Sequence, residues 1–588
     1  MSKIDAKARR SQLLSTYGIG GLFPSETSSF MIAGLDYWNE DRAPAVSEPR
    51  LARSLGVREL KMPPASPKDK KTRDVPVVRF PQTQICPACR KIGRTHDLGG
   101  DWNADKCKCQ RKAGPSGAAL SPFRLITACM RGHVDEFPFF QWLHNHQVTT
   151  PGDTHQMVMK SLGRTSSLED LVLECSCGVK ERSLDGASRS NAMKGVLVCK
   201  GKRPWLGPEY AEDCGETPRV LQRGASNVWF PAVRSAISIP PYSEPLAKFV
   251  NKHWTSLKDP AGVNDVLLRN IAEESRGRFT VDQIVAEAER RRGDEEGEAI
   301  GEEQLRKQEF GALLEGTDGV KDESDFVCER AGSAGDFPEP VPAVLTDLRK
   351  VTRLREVRAL YGFSRLNGAA DPDTMCKLSG EPKDWLPAIE VIGEGIFLAF
   401  DREALTSWAC EPFPEGRRRK LQASANKQGE QFNKPPIKVD IAKVALHTFA
   451  HVLIDQLSLD AGYPASSLRE RLFVDEEMAG ILIYTASSDS AGSLGGVASQ
   501  ADPDQFASAV REGLIRLSWC SSDPVCIEST ASGTDALNLA ACHACVLAPE
   551  TSCELNNTLL DRALLFGTHE PGEEDAGLFS EYLAQVQA

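Results

Sequence analysis

Seventeen cysteines, most of them gathered in two blocks, constrain this chain more than any other feature of its sequence. The charged start Met1–Arg10 is not followed by an apolar stretch, so no secretory signal is expected. No apolar run approaches the roughly 18 residues of a membrane span. The expected setting is the cytoplasm, with no membrane partner. Thiols there stay reduced, and paired cysteines point to bound metal rather than to disulfides. Nine cysteines lie between Cys86 and Cys214 and five between Cys520 and Cys553. Cys328, Cys376 and Cys410 stand apart and read as core thiols.

Zinc takes four sulfur or imidazole ligands in a tetrahedron, and a Cys-x-x-Cys turn supplies two of them. Cys86-Pro87-Ala88-Cys89, after the strand-like Val77–Phe80, is one such knuckle. Its second half is either Cys107 with Cys109 or Cys129 with His133, and spacing alone does not choose. The polar stretch 90–117 cannot order itself by burial, which favours metal there. Cys175, Cys177, Cys199 and Cys214 fall within 40 residues and read as a second site. In the third group Cys542-His543-Ala544-Cys545 is the knuckle, and Cys553 with either Cys526 or Cys520 completes it, Cys526 being preferred. Two to three structural zinc ions are therefore expected, each with a closed ligand shell.

Charge divides the chain as sharply as cysteine does. Residues 1–230 hold 34 Lys and Arg against 24 Asp and Glu, residues 231–440 hold 30 against 37, and residues 441–588 hold 6 against 21. The overall net of −12 thus conceals a basic first third. Phosphate contact belongs there, because counterion release needs clustered cations. The acidic last third reads as a solvated face or a protein-partner surface. Linker-like stretches at 61–74 and 316–343 complete a division into 1–230, 231–343 (mostly helical, acidic), 344–440 (mixed) and 441–588. The expected class is α+β and multi-domain. Zinc-stapled modules occupy the N-terminal third, and a mixed α/β zinc-binding domain lies at the C-terminus.

Local patterns place the main elements. Residues 280–314 have helical spacing and start at a capping sequence, Thr280-Val281-Asp282-Gln283. Leu345–Leu360 reads as a basic helix and about 438–460 as a second strong helix, while Gly395–Phe400 and Gly480–Thr485 read as buried strands. Arg417, Arg418, Arg419 and Lys420 form a cationic run, either a solvated loop or a weak nucleic-acid contact. The Gly18–Gly21 cluster is a weak signal, and the Ser487–Gly496 turn lacks the Lys-Ser/Thr of a phosphate-binding loop. His447 and His451 share a helical face, but Thr448 stands where a zinc protease needs Glu. The pair reads first as part of a buried polar network. A metal-dependent phosphodiesterase using His447, His451 and Asp455 or Asp489 is the competing expectation.

Several stretches carry a family resemblance. Arg10–Gly18, Ala128–Pro138 (ACMRGHVDEFP), Arg223–Pro231 (RGASNVWFP), Leu354–Phe363 and Gly393–Phe397 resemble the DrmB component of DISARM, a bacterial antiphage system. His447 through Arg562 resembles the zinc-binding domain at the C-terminus of MrfA-type helicases. The resemblance implies a cytoplasmic, non-catalytic accessory subunit that partners a separate superfamily 2 helicase, DrmA-like, and engages DNA mainly through that complex. Any ATPase would reside in the partner. It also implies that Cys542, Cys545 and Cys553 are zinc ligands, with Cys526 as the fourth.

Overall fold

The computed structural model describes residues 8–25, 28–64, 75–101, 104–109, 118–145, 155–163, 167–317, 323–332, 337–366, 374–432, 435–485, 496–533 and 536–587. The Ser487–Gly495 turn, Asp489 and most of the 61–74 linker lie outside them. The chain forms two compact units, each assembled from non-contiguous segments. One comprises residues 1–47, 55–235 and 358–389, the other 48–54, 236–357 and 390–588. As expected for the class, helices and sheets are mixed in one multi-domain chain.

The first unit is built from short strands. Six of them, two to five residues each, make an antiparallel sheet in the order Ser121–Pro122, Thr83–Ile85, Lys91–Arg94, Met157–Ser161, Leu171–Cys175 and Arg182–Ser183. A second sheet places Leu125–Ala128 between Val134–Glu136 and Arg219–Gln222. Phe123, Phe137, Phe139, Trp142 and Leu173 form a modest core. Strands this short bury little apolar area, so other interactions must order the loops between them. One is the buried Arg365 guanidinium, which donates to the carbonyls of Gly132 (3.0 Å), Val228 (2.6 Å) and Gly20 (2.7 Å). Burial lowers its pKa to about 10, so it keeps its charge at neutral pH. Gly20, with φ +74°, packs where a Cβ would strike the Phe363 ring, which accounts for the glycine cluster structurally.

The second unit has a conventional core. Its central strand Ala479–Thr485 pairs antiparallel with Leu468–Val474 on one side and with Gly395–Ala399 on the other. Every residue of Ala479–Thr485 is buried, as its continuous apolar run requires for a strand covered on both faces. Ile481 and Ile483 join a cluster with the helix Ile441–Ala461, while Leu482 and Tyr484 join Phe397, Phe473 and Leu313. That helix is buried from Ile441 through Leu457 except at Lys443 and Asp455, as an all-apolar helix must be. Its start is capped by the Asp440 carboxylate, which accepts from the Ala442 and Lys443 amides.

The expectation for 280–314 holds, with a break. Thr280 and Gln283 form a reciprocal capping box, and the helices Val281–Glu296 and Glu302–Glu315 flank Gly297 and Gly301. The expected helix at 345–360 is instead a strand, Leu345–Ser364. Val351 and Leu354 are three residues apart, a helical spacing, yet both enter the same core cluster. The cause is a bulge. Against Phe326–Gly332 the register runs Phe326↔Leu354, Val327↔Arg353, Cys328↔Val351, so Thr352 is skipped and the alternation is reset. Pairing along this strand overrides its local propensity.

Buried cations in this unit are paired. Arg471 donates to Glu309 through Nε (2.8 Å) and Nη2 (2.9 Å), both side chains being essentially inaccessible. The cationic run at 417–420 is not a loop, since it lies inside the helix Pro412–Phe432. Arg417 is buried and doubly bonded to Asp561 at 2.6 Å, a pairing that a buried charge demands. Arg418 and Arg419 bond Glu415 and hold its carboxyl down at about 2. Of the isolated cysteines, Cys328 and Cys376 are buried as expected, whereas Cys410 is exposed beyond the end of the helix Arg402–Ala409 and is no core thiol.

Two outcomes follow from unequal pairing. Glu309→Gln removes the carboxylate bonded to buried Arg471, leaving Glu356 at 3.9 Å as its nearest buried carboxylate, and should destabilise the second unit by about 3 kcal/mol, read from urea unfolding. Arg417→Met should expose the amides of the helix Ile441–Ala461 to faster hydrogen exchange by stranding Asp561. Arg419→Ala, at a solvated site, should leave that exchange unchanged.

Candidate metal centres

Among the described residues, five groups of four side chains each bring their ligand atoms within 4.8 Å of one another. None of the cysteines is in a disulfide. A Zn–S bond of about 2.3 Å implies tetrahedral Sγ–Sγ edges of about 3.8 Å. The observed edges match that value and lie far beyond a covalent S–S bond.

The first group settles the choice left open by spacing. Cys86 and Cys89 meet Cys107 and Cys109, with Cys86–Cys109 at 3.6 Å and Cys89–Cys107 at 3.8 Å. Cys86 follows the strand Thr83–Ile85, and the turn aims the Cys89 amide at Cys86 Sγ (3.4 Å).

Cys129 and His133 belong to a second group, with Cys199 and Cys214. Strand register explains this choice. Ala128 pairs with Arg219, so Cys129, just past one strand, lies beside the segment leading into the other. Cys129 Sγ is 3.8 Å from Cys214 Sγ and 3.4 Å from His133 Nδ1. His133 Nε2 lies 3.0 Å from Glu212, the carboxylate partner that commonly orients a ligating imidazole.

The expectation that Cys175, Cys177, Cys199 and Cys214 form one site is therefore corrected. Cys175 and Cys177, at the end of the strand Leu171–Cys175, meet His144 and His155 instead. His144 Nε2 is 3.4 Å from Cys177 Sγ, and His155 Nδ1 is 3.3 Å from Cys175 Sγ. His144 Nδ1 donates to the Phe140 carbonyl (2.9 Å), which frees Nε2 to act as a ligand. Sequence reasoning missed both histidines. Their signal was only proximity, 144 and 155 preceding a Cys-x-Cys turn.

The C-terminal group is Cys520, Cys526, Cys542 and Cys545. Its edges are 3.5 Å (Cys520–Cys542), 3.8 Å (Cys526–Cys545) and 3.6 Å (Cys542–Cys545). Cys520 is thus part of the quartet and Cys553 is not, which reverses the expected assignment. The reversal has a steric origin, for Cys553 lies deep in the unit against the helix Ile441–Ala461, where it meets His447, His451 and Glu470. Glu470 had not been singled out at all, because an isolated acidic residue in a strand carries no spacing signal. Asp455 does not join this group: it is exposed and paired with Arg516 at 2.6 Å. Five candidate sites replace the expected two to three.

No helix among the described residues is long and apolar enough to cross a membrane. Residues 9–230 match a domain family of unknown function, DUF8724, and residues 449–546 match the MrfA Zn-binding domain. The latter span encloses the whole Cys520–Cys545 quartet and leaves out His447 and Cys553. The chain is 31% identical over 585 residues to the DISARM protein DrmB of Bacillus paralicheniformis, covering 92% of this chain and 97% of that protein. That likeness along nearly the full length of both proteins, with a zinc-binding domain at the C-terminal end, shows that the chain belongs to the DrmB family of DISARM antiphage proteins.

Proposed function

We propose that this protein is a non-catalytic, zinc-stapled subunit that binds a superfamily 2 helicase of the DrmA type and helps it engage invading DNA. The observation that carries the reading is the completeness of the ligand groups. Four protein donors fill a tetrahedral ion, whereas hydrolytic zinc keeps one position for water. The residues present suit zinc: thiolates and imidazoles at tetrahedral spacings, several with amide or carbonyl bonds that orient them. Zinc bound there would supply folding free energy to loop-rich segments rather than chemistry.

The charge distribution supports the division of labour. The basic residues 1–230 are suited to phosphate contacts, and the acidic residues 441–588 to a protein surface. The cationic run at 417–420 contributes little to nucleic-acid binding, since its arginines are committed to Asp561 and Glu415. Of the two carboxylates in the phosphodiesterase alternative, Asp455 is engaged at the surface by Arg516, and Asp489 lies outside the described residues.

The test is co-purification with the helicase subunit. Cys545→Ser should lower the zinc content and abolish co-purification with the helicase, since losing one thiolate costs several kcal/mol of folding free energy. Retention of the helicase by a zinc-depleted variant would refute the scaffold role. Cleavage of labelled DNA by the purified chain with Mg²⁺ or Mn²⁺, abolished by His447→Ala, would refute the non-catalytic role.

A further inference from the structure

The group formed by His447, His451, Glu470 and Cys553 differs from the other four in chemistry and setting. It is the one group among the described residues that includes a carboxylate, and all four side chains are buried, with exposures of 0, 1, 1 and 4%. The i, i+4 spacing on the helix Ile441–Ala461 sets the two imidazoles 4.6 Å apart, nearly perpendicular. Each ring is held from behind. His447 Nδ1 lies 3.2 Å from the Leu559 carbonyl, and His451 Nδ1 lies 2.9 Å from the Val546 carbonyl. A carbonyl oxygen only accepts, so both Nδ1 atoms carry the proton and the neutral rings present Nε2 lone pairs inward.

Those lone pairs converge on acceptors. His447 Nε2 is 3.0 Å from Glu470 Oε1 and 3.2 Å from Cys553 Sγ, and His451 Nε2 is 3.6 Å from the same carboxylate oxygen. Cys553 Sγ accepts the amides of Leu555 (3.3 Å) and Asn557 (3.2 Å), an arrangement that stabilises a thiolate. Glu470 Oε1 accepts the Glu554 amide at 3.1 Å. His451 Nε2 and Glu470 Oε2 are buried without a hydrogen-bond partner. Unpaired buried polar atoms are costly, and here they face a common point.

We infer that these four residues bind one zinc ion, a site separate from the Cys520–Cys545 quartet. Two neutral imidazoles, one carboxylate and one thiolate carry a charge of −2, which a divalent ion cancels. The neutral whole tolerates full burial, where a four-thiolate site would keep excess negative charge. Two nitrogens and a sulfur reject Mg²⁺ and Ca²⁺, which require oxygen, and suit tetrahedral zinc. The spacings of 3.0–3.6 Å fit the edges around an ion with Zn–N and Zn–O bonds of about 2.0–2.2 Å. Bound there, the ion joins the central helix, the strand Leu468–Val474 and the loop at Cys553 from inside the core. The inference is independent of helicase binding.

Crystals of the full chain, measured above and below the zinc absorption edge, test it directly. An anomalous peak bounded by the two Nε2 atoms, the Glu470 carboxylate and Cys553 Sγ is expected, vanishing below the edge. Its absence while the Cys520–Cys545 quartet shows a peak would overturn the site, as would a peak indifferent to the zinc edge. In solution, His451→Ala and Cys553→Ser should each lower zinc by one ion per chain. Cys553→His, which preserves a ligand, should restore it. Folded His451→Ala protein with undiminished zinc would also overturn the proposal. Where a variant fails to fold, the wild-type anomalous map decides.

Discussion

Convergence of four ligand atoms within 4.8 Å, from segments as far apart as His447 and Cys553, is the constraint that organises this protein. Ordering a polar loop costs conformational entropy, and the first unit has little apolar area with which to offset it. Its six-stranded sheet is made of strands two to five residues long, and its three ligand groups draw Cys86, Cys129 and Cys175 from strand ends. The first group sits in a cluster as small as Leu98, Ala118 and Leu120, too little apolar surface to order its loops alone. Arg365 does related work nearby, using one buried guanidinium to tie three distant carbonyls together.

The second unit solves the same problem with burial first. The helix Ile441–Ala461 lies against fully buried strands, and the ionic contacts complete what the apolar packing leaves open. Asp561 and Arg562 show how closely the two are coupled. Asp561 holds Arg417, and its amide donates to Thr448 Oγ1 on the central helix (3.0 Å). Arg562 bonds Asp523 and the Leu517 carbonyl, which anchors the segment between Cys520 and Cys526. The quartet and the histidine group are therefore built onto one core, one at its margin and one within it.

Much of this was legible in the residues themselves. The Cys-x-x-Cys knuckles, the Thr280–Gln283 capping box, the helix at 438–460 and the strands at 395–400 and 480–485 are local signals, set by backbone geometry over a few residues. The strand Leu345–Ser364 was misread for a physical reason: a bulge converts a period of two into an apparent period of three. The burial of Arg417 was not legible because its partner, Asp561, lies 144 residues away.

By itself the sequence determined that thiols and imidazoles would cluster, in which two regions, and that a basic first third precedes an acidic last third. It could not determine which ligands share a group. That choice rests on strand register, as where Ala128↔Arg219 brings Cys129 to Cys214, and on burial, as where Cys553 turns inward to His447 and leaves its place in the quartet to Cys520. Spacing along a chain fixes only the nearest two ligands of a tetrahedron. The other two are supplied by whatever the tertiary fold carries alongside.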